Sequence, residues 1–289
     1  MTFGLMTSEC RTGPGGGNAW DSILAQAQAA GTPVLECYLS LAGIAVRTER
    51  VKLGVLVTGA PYRNPALLVK LVTTLDIMSH GRAIFGIGAG RAKYEFGAYG
   101  WPFPDVADRM RGLRDTVEIA RAMWASSPAS YEGKVYSIAD ARNDPPPVQQ
   151  PHPPIMIGGG GEQTTLRLAA RFGDYCNVSG DLDRVSHKHA VLRQHCAEVG
   201  RPYDEITRTL FTWFLVGRTE AEAEAKRRYF DGDAPTFAGL VGTPEQIIAR
   251  LRQYEAIGVQ EVYVSMRDAF ELEPIALFGE TVVAALADR

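Results

Sequence analysis

Residues 153 to 178, PPIMIGGGGEQTTLRLAARFGDYCNV, form the stretch best suited to chemistry. A short apolar run, Ile155-Met156-Ile157, leads into four glycines, Gly158 to Gly161, and a helical pattern starts behind them. Glycines carry no Cβ to hold a ligand away from the backbone, and they reach positive φ without strain. A helix start adds unpaired N–H groups and the positive end of the helix dipole. Strand, glycines and helix start together cradle a phosphate. The plainer reading is a tight strand-to-helix turn, for which one glycine would suffice.

A second glycine run, Gly86-Ile87-Gly88-Ala89-Gly90, also ends an apolar strand and opens a loop. Its spacing is GxGxG, so the third glycine arrives one residue early for the dinucleotide fingerprint. Two readings remain open: close packing at a crowded strand end, or backbone approach by a flat ligand such as a flavin ring. Arg91 follows, placed to add positive charge near an anionic tail. In a third segment, LVTGAPYRNP, Asn64 and Pro65 read as N-cap and first residue of a helix. The small residues Thr58 to Ala60 leave room for a ring system at the strand end. YGWPFP, residues 99 to 104, reads equally as an apolar pocket lining or a packed turn.

Other chemistries find little support. The histidines His80, His152, His187, His189 and His195 form neither HxxxH nor HExxH, and GxSxG does not occur. Cys10, Cys37, Cys176 and Cys196 are far apart with no CxxC, which points to free thiols in a reducing compartment. Glu95 and Asp174 are possible acids, with a structural role favoured for both. The net charge of −3 comes without a basic block, arguing against nucleic acid or an anionic membrane as partner. No signal-like start and no apolar run of membrane length appears, so a cytoplasmic protein is expected.

The elements that must position these residues alternate along the chain. Strands are expected at Phe3–Met6, Val51–Thr58, Arg82–Ile87, Ile155–Ile157, Tyr175–Val178, Arg208–Val216 and Glu261–Ser265. Helices are expected at Ala19–Ala30, Leu35–Val46, Ala66–Ser79, Ala107–Ala125, Gln163–Phe172, Asp183–Glu198, Glu220–Tyr229, Pro244–Ile257 and Glu273–Leu286. Apolar strands separated by helices indicate a parallel sheet buried on both faces, and the count approaches that of a (β/α)8 TIM barrel. The alternation fails once, because Gly31-Thr32-Pro33-Val34 between two helices cannot supply a central strand. The Pro-rich stretch around residues 126 to 154 reads as an insertion within one barrel unit, giving a single domain over 1 to 289. Glu222–Lys226 and Glu224–Arg228 are i,i+4 pairs on a solvated helix face.

Three segments carry a resemblance: TERVKLGVLVTGAPYRNPALLVK (48 to 70), LDIMSHGRAIFGIGAGRAKYEFGAYG (75 to 100) and the glycine-rich stretch of 153 to 178. HKHAVLRQHCAEVGR, 187 to 201, matches in style. Together they resemble the luciferase-like monooxygenase superfamily, in its branch of F-420-dependent oxidoreductases. The resemblance implies a (β/α)8 barrel of the bacterial-luciferase type, here apparently lacking the second strand, with a flavin or deazaflavin at the C-terminal mouth. It implies that Gly159, Gly160, Gly161, Glu162 and Thr165 hold the cofactor phosphate. It implies that Thr58 and Gly59 lie behind the ring, at a strand end where the family often carries a non-prolyl cis peptide. Gly88 and Gly90 would border the cofactor, with Asn177 a further candidate. The implied reaction is hydride transfer between coenzyme F-420 and a small organic substrate, in a homodimer; with FMN, it is monooxygenation. The chain departs from the family in lacking the strand that ends in an Asp-His pair, and in having Arg91 where Trp is frequent. The first departure raises a third alternative, a member without catalytic activity.

Overall fold

Apolar strands do run parallel here, and the strand carrying the second glycine run is buried at every position from Ala83 to Gly88. The computed structural model describes residues 1–5, 35–231, 239–266, 268 and 272–287. The helix expected over Ala19–Ala30, the Ala30–Gly31 junction and Cys10 lie outside these residues.

In chain order the first elements are β1 (Thr2–Leu5), α1 (Cys37–Ala45), β2 (Leu53–Gly54), β3 (Thr58–Gly59), α2 (Pro65–Met78), β4 (Ala83–Gly88), α3 (Lys93–Ala98) and α4 (Val106–Ala125). Next come β5 (Ala129–Glu132), β6 (Ser137–Ala141), β7 (Ile155–Gly158), α5 (Thr165–Phe172), β8 (Tyr175–Val178) and α6 (Leu182–Val199). The remainder comprises β9 (Thr207–Val216), α7 (Glu220–Asp231), β10 (Gly239–Gly242), α8 (Pro244–Ala256), β11 (Glu261–Met266), α9 (Leu272–Leu277) and α10 (Ala284–Ala287).

The chain divides into two compact units. One comprises Cys37–Asn177 and Val191–Ile206. In it, β8, β7, β4 and β2 are parallel neighbours, and β3 also pairs with β4. The α2 start is built as its residues suggest: Asn64 Oδ1 accepts from the Ala66 and Leu67 amides at 3.0 and 3.2 Å, and Pro65 opens the helix. At the other end of this layer Arg82 uses all five guanidinium donors. They reach the carbonyls of Ser79, Val51, Ala45 and Thr48 and the Thr48 hydroxyl, at 2.7 to 3.0 Å. The last carbonyl of α1, that of Ala45, is thereby satisfied without a glycine cap.

The single strand expected over Val51–Thr58 is instead two short ones, β2 and β3. The chain leaves the ladder between them, where the Leu56–Val57 peptide is cis and Val55 and Val57 turn inward against β4. The segment around 126–154 forms an antiparallel hairpin, β5–β6. Buried Asp115 holds it, accepting from the Val135 and Tyr136 amides at 2.7 and 3.1 Å and from the Tyr131 hydroxyl at 3.2 Å. Burial, with the Asp115 charge, pushes the Tyr131 phenol up to about 12.

The other unit comprises Met1–Glu36, Val178–Ala190 and Thr207–Arg289. Its parallel strands run β1–β11–β9, with β10 on β9. β10 was not expected, because Gly-Leu-Val-Gly is short and half glycine. The helix expected over Glu273–Leu286 is interrupted by a wide π turn at Phe278–Val283. Phe278 packs edge-on against Phe214 at 4.7 Å there, and the Thr281 hydroxyl donates to the Leu277 carbonyl, a bond that loosens regular helix. The Glu222–Lys226 and Glu224–Arg228 pairs form as expected, at 3.4 and 3.1 Å. Among the described residues no helix is long and apolar enough to cross a membrane.

Candidate cofactor site

The register of the parallel strands brings the two glycine runs to one level. Gly59 pairs with Gly88, Ile87 with Ile157, and Gly158 with Asn177. Thr58, Gly59, Gly88 and Asn177 therefore stand in a row across the C-terminal ends of β3, β4, β7 and β8. Gly90 lies two residues beyond its strand, at φ 72°. Gly159, Gly160, Gly161 and Glu162 follow directly from β7, and Thr165 opens α5. All ten residues fall within one unit.

The turn after β7 has the features of an anion cradle. Gly159 takes φ 129°, which a side chain would strain, and its amide is fixed by the Asn177 carbonyl at 3.0 Å. α5 starts without a side-chain cap. Among the described residues the amides of Gly161, Gln163 and Thr164 have no acceptor. Thr165 is 3% exposed, and among the described residues its hydroxyl meets only the Met110 thioether, at 3.9 Å. A buried hydroxyl with so weak a partner, beside open amides at a helix start, fits a phosphate oxygen.

The second glycine run is built differently. A Cβ on Gly86 would lie 1.9 Å from the Val55 carbonyl oxygen. One on Gly88 would lie 2.7 Å from Val57 Cγ2, and one on Gly59 2.5 Å from the Tyr62 ring. At these positions the protein's own atoms fill the space a side chain would take, so close packing accounts for Gly86 and Gly88, whereas Gly90 takes φ 72° with its nearest neighbour at 3.4 Å. A non-prolyl cis peptide, of the kind the resemblance implies at this strand end, lies next to this row, at Leu56–Val57.

Several residues around the row escaped the sequence reading. Tyr38 on α1 is buried, and its hydroxyl lies 2.9 Å from Thr58 Oγ1. The Arg63 guanidinium stacks 5.1 Å over the same ring. Tyr62 donates to the Glu95 carboxylate, and burial, reinforced by Glu95, raises the Tyr62 phenol above its ordinary range. Arg109 lies 4.4 Å over Phe103 and donates to the Gly90 carbonyl. The YGWPFP segment packs with them: Phe96 meets Phe103 at 5.0 Å and Tyr62 at 4.7 Å, while Tyr99 and Trp101 are exposed. Asp174 is structural, accepting from the Ile155 amide at 2.8 Å. Burial pushes the Cys176 thiol up to about 12, which leaves no thiolate for nucleophilic attack at neutral pH. Among the described residues no group of three His, Cys, Asp or Glu could hold a metal ion. His195, for which the sequence offered no metal site, places Nε2 2.9 Å from the Glu162 carbonyl oxygen.

Comparisons with known proteins bear on the family and the fold. An F420-dependent glucose-6-phosphate dehydrogenase from Kineococcus radiotolerans is 32% identical over 191 residues, 65% of this chain and 56% of that enzyme. The chain's matches to the first such dehydrogenases span 30% to 56% of their length. Among solved structures, the coenzyme F420-dependent tetrahydromethanopterin reductase from Methanopyrus kandleri superposes with a TM-score of 0.76 at 22% identity, covering 87% of this chain and 88% of that one. The monooxygenase RslO1 from Streptomyces bottropensis gives 0.79 at 19% identity, covering 99% and 100%. These likenesses show the fold class, the α/β barrel type expected from the sequence. The sequence profile described as luciferase-like monooxygenase matches residues 15–237, more than half of the chain. The chain therefore belongs to the luciferase-like monooxygenase family.

Proposed function

We propose that this protein is an oxidoreductase that holds coenzyme F-420 at the C-terminal ends of β3, β4, β7 and β8 and serves hydride transfer with a small organic substrate. The carrying observation is the cradle after β7: open amides and a poorly partnered Thr165 hydroxyl at a helix start, level with the Gly59–Gly88–Asn177 row. In this reading Gly159, Gly160, Gly161, Glu162 and Thr165 hold the cofactor phosphate. Thr58 and Gly59 back the ring, Gly88 and Gly90 border it, and Asn177 lines the cradle. When bound, the deazaflavin supplies or accepts the hydride. The chain's own task is to bind and orient it. Tyr38 fixes the Thr58 hydroxyl from behind, and Arg109 fixes the Gly90 carbonyl. The names of the matched dehydrogenases support the F-420 reading. We take the chain as one domain, acting as a homodimer.

FMN is the second reading, with monooxygenation as the reaction. The same cradle suits the FMN phosphate, and a monooxygenase superposes over nearly the whole chain.

Fluorescence titration of the purified protein with F-420, with FMN in parallel, tests both. Saturable F-420 binding without FMN binding supports the first reading. FMN binding alone turns the assignment to the second, and binding of neither defeats both.

A further inference from the structure

Four aromatic side chains join the Gly59–Gly90 end of the row to the surface. The Tyr62 ring lies against both glycines: a Cβ on Gly59 would stand 2.5 Å from its Cδ2, and one on Gly90 3.7 Å from its Cε2. Tyr62 meets Trp101 edge-to-face at 5.9 Å, and Trp101 stacks on Tyr99 at 5.1 Å and 27°. Fully buried Phe96 anchors the group, 4.7 Å from Tyr62 and 6.1 Å from Trp101. The backbone under the outer rings is fixed. The Tyr99 amide donates to the Glu95 carbonyl at 3.0 Å and the Trp101 amide to the Phe96 carbonyl at 2.8 Å, while Gly100 between them turns the chain at φ 69°. Even so, Tyr99 is 68% and Trp101 42% exposed.

Holding two large rings in water forgoes the free energy of burying them, and a stacked pair recovers it by covering a further flat ring. The polar group behind this wall is already engaged: the Glu95 carboxylate accepts from the Tyr62 and Tyr94 hydroxyls, one on each oxygen. A sugar is recognised by several donors and acceptors aimed at its hydroxyls, whereas this wall presents ring faces. We infer that Trp101 and Tyr99 form the substrate-side wall of the site, and that the substrate carries its reacting group on a planar conjugated ring that stacks on them beside the cofactor ring. This rests on reading the Gly59–Gly88 row as the place of that cofactor ring. It puts the substrate in a different class from the glucose 6-phosphate named for the matched dehydrogenases.

The experiment titrates 2-naphthol and 2-decalol by calorimetry into protein saturated with F-420, or with FMN where that is the cofactor bound. The two probes share a carbon skeleton and a hydroxyl group, and only the first is flat. 2-Naphthol should bind about tenfold tighter than 2-decalol, and Trp101→Leu and Tyr99→Leu should each weaken it about fivefold, the order of one aromatic pair. Both changes should leave cofactor affinity and melting temperature near wild type, because both rings stand at the surface. Tyr229→Leu, which removes another exposed ring on α7, should leave 2-naphthol binding unchanged. Equal affinity for the two probes overturns the proposal, and so does a loss with Tyr229→Leu as large as with Trp101→Leu. Glucose 6-phosphate binding that Trp101→Leu weakens to the same degree also overturns it, by making the wall a sugar platform. If neither wall variant folds, the two probes on wild type decide alone. If wild type binds neither cofactor, the cofactor reading itself fails and takes the proposal with it, an outcome distinct from loaded protein that does not distinguish a flat ring from a puckered one.

Discussion

Two glycine runs end neighbouring parallel strands in the same unit, and glycine serves opposite purposes in them. At Gly86 and Gly88 it lets other parts of the protein in: Val55 and Val57 occupy the space a side chain would need. At Gly159 it bends the chain through φ 129°, and in the turn that follows the amides of Gly161, Gln163 and Thr164 have no acceptor among the described residues. A glycine count cannot tell these apart. The direction a Cβ would take, and what already stands there, can.

The largest effect expected from breaking this contrast is at Gly86. Gly86→Ala puts a methyl group into the Val55 carbonyl, and backbone must move to admit it. A loss of about 3 kcal/mol or more is expected in urea denaturation. An unchanged midpoint would show that the run is not packed as described. Gly159→Ala should act on both properties at once. The φ strain costs about 1 to 2 kcal/mol of stability, and the distorted turn lowers cofactor affinity about tenfold in the same titration assay. If affinity holds while stability falls, Gly159 belongs with the packing glycines.

Thr165→Val keeps the buried volume and removes only the hydroxyl. It should weaken F-420 or FMN binding about fivefold with little change in melting temperature. Equal affinity would remove Thr165 from the site. Tyr38→Phe tests the support behind the row: losing the bond to Thr58 should cost about 1 kcal/mol by denaturation. The smallest effect belongs to a control on α7. Arg227, then Arg228, holds the Glu224 carboxyl at about 2. Since that value is depressed, the pair's contribution is complete above the ordinary glutamate range and fades as pH falls toward 2. Being exposed and screened, it should leave the melting temperature of Glu224→Gln near wild type at neutral pH.

Local chemistry made much of this legible beforehand. The cradle is one continuous segment, so strand, glycines and helix start could be read together. The Asn64–Pro65 helix start and the i,i+4 pairs of α7 are equally local. What escaped depends on residues far apart in sequence. His195 matters because of a carbonyl 33 residues away, and Tyr38 because of a hydroxyl 20 residues away. β10 shows no strand pattern and is placed by pairing with Trp213–Val216 of β9. The break between β2 and β3 was hidden because Leu53 to Thr58 is uniformly strand-like, while the inward turn at Val55 and Val57 is permitted only by glycines on two other strands. The packing role of Gly86 and Gly88 was one of two open alternatives for the same reason.

Val57 carries a consequence for how this sequence can vary. Its side chain stands where a Cβ would sit on Gly88 and on Gly158, at 2.7 Å in each case. Three positions, 57 between β2 and β3, 88 on β4 and 158 on β7, therefore share one volume. Enlarging Gly88 or Gly158 demands a smaller residue at 57, whereas Gly86 stays barred by the Val55 carbonyl oxygen, 1.9 Å from where its Cβ would sit. Substitutions at these three positions should be inherited as a set, and an alignment of relatives should show the columns of 57, 88 and 158 changing together or not at all.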